Sequence, residues 1–106
     1  EHEFLNAALC CATSLSPLQV LDITQKIERL LGRKHKSVNG QYEDRPIDID
    51  ILLYDDQIIK TPRLTVPHPL MHKRDFVLKP MCEIAPQVLH PVLHQTMEQL
   101  LQQQSL

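Results

Sequence analysis

Tryptophan is absent from this chain, and all aromatic residues together make up only 4% of it. Any core must therefore be built from Leu, Ile and Val. No apolar run approaches the ~18 residues that a membrane-spanning helix needs. Neither sign of charge dominates: 11 basic and 13 acidic residues leave a formal charge of −2, which argues against nucleic acid as a partner. The three cysteines lack the spacings of a disulfide framework, since Cys10 and Cys11 are adjacent and Cys82 stands alone. A reducing, cytoplasmic setting is expected from that, and the opening Glu1-His2-Glu3 carries no signal-peptide pattern. Six histidines raise the question of zinc, but a Cys-x2-Cys pair and a helical His pair are both missing. With 106 residues, no internal repeat and no linker-like segment, one small domain is expected.

What the chain does have is Arg45-Pro46-Ile47-Asp48-Ile49-Asp50-Ile51-Leu52-Leu53-Tyr54. Strict alternation from Ile47 to Ile51 is the period of a β-strand, with isoleucines on one face and aspartates on the other. Asp is depleted in strands, and two carboxylates on one face repel each other. Next-but-one residues on a strand lie about 6.5–7 Å apart. Two carboxylates at that spacing can hold one or two hard cations, and Mg²⁺ is commonly bound by one or two carboxylates together with substrate phosphates. The bland alternative is a strand with one buried and one wet face.

Residues 4–15 hold an apolar run of strand length that fits a strand covered on both sides, with Asn6 its polar exception; the pattern does not by itself exclude a helix. Ser16-Pro17-Leu18-Gln19 is a helix start, with Ser16 as cap, Pro17 at the first helical position and Gln19 closing a capping box. Leu18, Leu21, Ile27, Leu30 and Leu31 supply an apolar stripe, and Gly32 is placed to end the helix in the left-handed conformation. Gln25 and Glu28 share one flank of that helix, where solvated surface is the bland reading. Residues 33–44 form a loop whose Arg33, Lys34, His35 and Lys36 bring positive charge toward Arg45, as a polyphosphate would require. Asp55-Asp56-Gln57 reads as a turn, Ile58-Ile59 as a short return strand, and residues 61–69 as extended because three prolines forbid a helix. A short helical turn is expected over residues 80–86, and a Gln-rich helix over 96–103.

Several stretches together resemble one family in its order. They are Phe4-Leu5-Asn6-Ala7-Ala8, Gln25-Lys26-Ile27-Glu28, Arg45-Pro46-Ile47-Asp48-Ile49-Asp50-Ile51-Leu52, Arg63-Leu64-Thr65-Val66-Pro67-His68 and Arg74-Asp75-Phe76-Val77-Leu78, continuing through Pro80 and Glu83-Ile84-Ala85-Pro86. The family is 6-hydroxymethyl-7,8-dihydropterin pyrophosphokinase, of folate biosynthesis. The resemblance implies transfer of pyrophosphate from ATP to the pterin hydroxymethyl group, leaving AMP. It also implies that Asp48 and Asp50 bind two Mg²⁺ ions, with ATP as co-substrate. Arg45, Arg63 and His68 match phosphate-contacting positions, with Arg74 nearby. Gln25, Glu28, Ile51 and Thr65 match positions around the nucleotide. Asn6 would hydrogen-bond the pterin, with Phe4 and Phe76 sandwiching its ring.

The implied fold is an α+β ferredoxin-like sandwich of an antiparallel sheet with helices. This chain would hold the later strand–helix–strand half and a C-terminal extension of a single pyrophosphokinase domain over residues 1–106. A preceding strand–helix–strand is expected to complete the sheet and the pterin pocket, and the complete protein is expected to be a monomer. The sequence departs from the family before Arg45, where Tyr42, Glu43 and Asp44 stand in place of an Arg-Trp pair and a Gly-Pro. The alternative function is a catalytically inactive pterin- or nucleotide-binding or interaction module derived from the same fold. Two repelling carboxylates retained with Arg63, His68 and Arg74 favour the enzyme.

Overall fold

Ser16, Pro17 and Gln19 start the first helix as their side chains require. The Gln19 N–H donates to Ser16 Oγ (3.3 Å), and the Ser16 N–H donates back to Gln19 Oε1 (2.8 Å). Two donors that the helix cannot satisfy internally are thereby met. The helix, α1, runs Pro17–Arg33. Gly32 lies inside it, outside the left-handed region, and a Cβ there would meet nothing within 4 Å. The expected left-handed stop at Gly32 is thus corrected, because helical bonding carries past it. Of the expected stripe, Leu21 is buried and Leu31 half-buried, whereas Leu18, Ile27 and Leu30 are 41%, 40% and 49% exposed.

The computed structural model describes residues 5–33 and 47–104. They divide into two compact units: Ser14–Ile51, carrying α1 and the aspartates, and Glu1–Thr13 with Leu52–Leu106.

In the second unit a turn at Asp55 and Asp56 is closed by the Gln57 N–H donating to Tyr54 O (3.0 Å), with Asp55 at φ 50°. Asp tolerates that left-handed geometry better than most residues. Strand β1 (Ile59–Lys60) then pairs antiparallel with β2 (Thr65–Val66), Ile59 opposite Val66 and Lys60 opposite Thr65. Thr61 holds the intervening loop: its N–H and hydroxyl both donate to Leu64 O, and the Leu64 N–H donates to Thr61 Oγ1 (3.0 Å). The Val66–Pro67 peptide is cis.

A 3-10 turn, Met71–Lys73, leads into α2, Asp75–Ile84. This helix is longer than the turn expected over 80–86 and contains Pro80 within it. Pro80 has no N–H to give to the Phe76 carbonyl and costs about 3 kcal/mol inside a helix. Leu78 and Met81, buried at helical spacing, offset that cost, each contributing on the order of 1.5–3 kcal/mol. Helix α3, Met97–Gln104, opens with a second capping box, the Gln99 N–H donating to Thr96 Oγ1 (3.1 Å) and the Thr96 N–H to Gln99 Oε1 (2.9 Å). Met71, Leu78, Met81, Met97 and Leu100 form the core, with Ala8, Leu52, Leu53, Val77, Cys82 and Leu101 packed against it.

The described fold is α+β, with three α-helices and one two-stranded antiparallel sheet. Two expected strands are not found among the described residues. Residues 5–13 and 47–54 pair with no neighbouring strand there, and Leu5 and Leu9 are 101% and 86% exposed rather than covered. A strand needs a ladder partner. Here the Ile49 N–H goes to a side chain, and Leu52 O accepts a single bond from the His68 N–H (2.9 Å).

Candidate functional site

Asp48 and Asp50 are both exposed, while Ile49 between them is half-buried. The alternation of the sequence therefore survives as burial over residues 48–51 even without a ladder, whereas Ile47 is exposed. The Ile49 N–H donates to Glu28 Oε2 at 2.6 Å. Glu28 is half-buried on α1, one turn from Gln25, and the two line a shallow depression with Arg29 and Gly32. Glu28, whose bland reading was solvated surface and which the resemblance matched to a position around the nucleotide, is thus bonded to the backbone between the two aspartates. Spacing gave no signal of it, since the partners are 21 residues apart.

Among the described residues no group of three or more His, Cys, Asp or Glu could enclose a metal ion. Asp48 and Asp50 offer hard oxygen donors open to solvent, which suits Mg²⁺ completed by water and phosphate oxygens and does not suit a closed zinc site.

In the other unit, Arg63 is exposed in the β1–β2 loop, and Thr65 is half-buried in β2. His68 is half-buried and its Nδ1 accepts from the Leu70 N–H (3.2 Å). With Nδ1 so engaged, the neutral ring carries its hydrogen on Nε2, a donor suited to an anionic oxygen. Arg74 is half-buried, with its guanidinium carbon 5.6 Å from the centre of the Phe76 ring; Phe76 itself is 47% exposed. Asn6 is exposed and Ile51 half-buried. Phe4, Arg45 and the basic loop of Lys34, His35 and Lys36 lie outside the described residues. Cys82 is no candidate nucleophile, because burial and the nearby Glu98 charge push its thiol pKa up.

The paired carboxylates thus lie in one unit, and the cationic side chains of Arg63 and Arg74 with the Phe76 ring lie in the other. The chain belongs to the 7,8-dihydro-6-hydroxymethylpterin-pyrophosphokinase family, whose model matches residues 1–86. It is 52% identical over 91 residues to a 2-amino-4-hydroxy-6-hydroxymethyldihydropteridine pyrophosphokinase of Porphyromonas gingivalis, covering 85% of this chain and 61% of that protein. The enzyme of the same name from Aquifex aeolicus is 43% identical over 99 residues, covering 93% of this chain and 60% of its own. A folic acid synthesis protein of Dictyostelium discoideum is 46% identical over 96 residues, which is 91% of this chain but 14% of that protein. The chain thus spans about three-fifths of the length of the bacterial relatives and a small part of the eukaryotic one.

Proposed function

We propose that this chain is part of an ATP-dependent pyrophosphokinase acting on 6-hydroxymethyl-7,8-dihydropterin. The observation that carries the reading is the pair of exposed aspartates flanking a bonded Ile49, within the stretch that matches the family model. The pterin hydroxyl oxygen attacks the β-phosphorus of ATP, the bond from that phosphorus to the α–β bridging oxygen breaks, and AMP leaves. The hydroxyl proton passes to solvent or to the departing phosphate.

Mg²⁺, two ions held at Asp48 and Asp50, would neutralise phosphate charge and orient the attacking oxygen. Arg45, Arg63, His68 and Arg74 supply donors to the phosphates, and for His68 the donor is Nε2–H. Gln25, Glu28, Ile51 and Thr65 surround the nucleotide. Phe76 and Phe4 stack on the pterin, and Asn6 hydrogen-bonds it. Catalysis of this kind rests on positioning and charge neutralisation, which suits a set of residues without an activated nucleophile. The α+β elements then belong to the later part of a ferredoxin-like sandwich in one pyrophosphokinase domain. The intact enzyme is read as a cytoplasmic monomer whose partners are its two small substrates and not nucleic acid. No helix among the described residues is long and apolar enough to cross a membrane.

The test is turnover of Asp48→Ala and Asp50→Ala in the intact protein at saturating ATP and Mg²⁺. Each should lose several orders of magnitude while its unfolding midpoint barely moves, both side chains being exposed. Near-wild-type turnover in either variant would remove the two-aspartate assignment.

A further inference from the structure

The Glu28 side chain reaches the backbone of the Asp48–Asp50 segment from a distant element, accepting the Ile49 N–H at 2.6 Å. That N–H lies in the same rigid peptide plane as the Asp48 carbonyl. Fixing it fixes the plane that joins Asp48 to Ile49, and so constrains the backbone from which both aspartates project. The base of the bond is firm, since Glu28 sits in the second half of a 17-residue helix whose first turn is closed by the Ser16–Gln19 capping box.

We infer that Glu28 is a positioning residue that pre-orders Asp48 and Asp50 for a divalent cation by gripping the Ile49 amide. The inference rests on the proposed role of the two aspartates and adds to it a residue that acts through the backbone. Its charge is not what the role requires; an acceptor oxygen at that place is. Glu28→Gln keeps such an oxygen, whereas Glu28→Ala removes it.

The experiment titrates Mn²⁺, read by water-proton relaxation, into the intact protein with a non-hydrolysable ATP analogue, for wild type, Asp48→Asn, Glu28→Ala and Glu28→Gln. Amide hydrogen exchange at Ile49 is followed in the same four proteins. Glu28→Ala should weaken Mn²⁺ roughly 10–100-fold, the usual loss for a residue that orients a metal ligand, and should speed exchange at Ile49. Glu28→Gln should keep Mn²⁺ affinity near wild type and keep Ile49 protected. The inference is overturned if Glu28→Ala binds Mn²⁺ like wild type. It is equally overturned if Glu28→Gln keeps Ile49 protected yet binds Mn²⁺ as poorly as Glu28→Ala, which would make Glu28 a ligand through its charge. Weakened binding in Asp48→Asn with normal binding in Glu28→Ala removes this inference alone. Unchanged binding in Asp48→Asn removes the two-aspartate reading and the inference with it.

Discussion

Phe76 is 47% exposed in the first turn of α2, with the Arg74 guanidinium over its ring. A large aromatic left that open contributes little to the core, so its removal should show in binding rather than in folding. Phe76→Ala is expected to weaken pterin binding by about 1–3 kcal/mol, the range for a ring stacked on an aromatic side chain. Binding of an ATP analogue should hardly change. Calorimetric titration of both ligands checks this, and an equal loss for both would make Phe76 a packing residue. The exposure of Asp48 and Asp50 was legible in the sequence, because alternation with isoleucines assigns them to the wet face. A residue's role was not legible where the chemistry lies in a bond between distant positions. Glu28 resembles any solvated glutamate until the chain folds and brings the Ile49 amide to it.

Among the elements, the starts of α1 and α3 carry their signals in local sequence. Ser16 with Gln19 and Thr96 with Gln99 satisfy the first donors of α1 and α3. The strands could not be read so well, because alternation states which face a residue prefers but not whether a partner lies alongside. That is why residues 48–51 keep an alternating burial without forming a ladder, while Ile47 is left exposed. The turn expected over residues 80–86 fell short of α2 for a related reason: the burial of Leu78 and Met81 that offsets the local cost of Pro80 is tertiary. Gly32 offers a test at this scale. It occupies a helical position with open space around it, so Gly32→Ala should stabilise the protein by roughly 0.5–1 kcal/mol through lower unfolded-chain entropy and better helix propensity. Urea denaturation measures the change, and a destabilised variant would mean that the α1 terminus needs glycine's freedom.

The whole molecule should respond to pH through His90. This histidine is 4% exposed and its Nδ1 accepts from the Val92 and Leu93 N–H groups (3.2 and 3.1 Å), while its own N–H and carbonyl bond Gln95 and His94. The loop so held precedes α3, whose Met97 and Leu100 complete the core. Burial, and then the neighbouring His72 and His94, lower the His90 pKa from its usual 6.5. Above pH 6.5 the ring is neutral in folded and unfolded chains, and its full contribution to stability is present. As pH falls below 6.5 the unfolded chain takes up a proton that the folded one resists, so stability declines down through the folded pKa. Urea midpoints between pH 8 and pH 5 should fall accordingly. His90→Asn, which keeps an acceptor but cannot titrate, should flatten that part of the dependence; an unchanged slope would place the acid sensitivity elsewhere.

The central claim is that the protein carrying this chain moves two phosphates together onto the pterin. Phosphorus NMR of the reaction of the intact protein with ATP, Mg²⁺ and 6-hydroxymethyl-7,8-dihydropterin tests it most directly. The account predicts AMP as a single resonance, in equal amount to a pterin product showing two mutually coupled phosphorus signals, and neither forming in Asp48→Ala. ADP with a single-phosphorus pterin product, or AMP accompanied by free pyrophosphate and unmodified pterin, would contradict it.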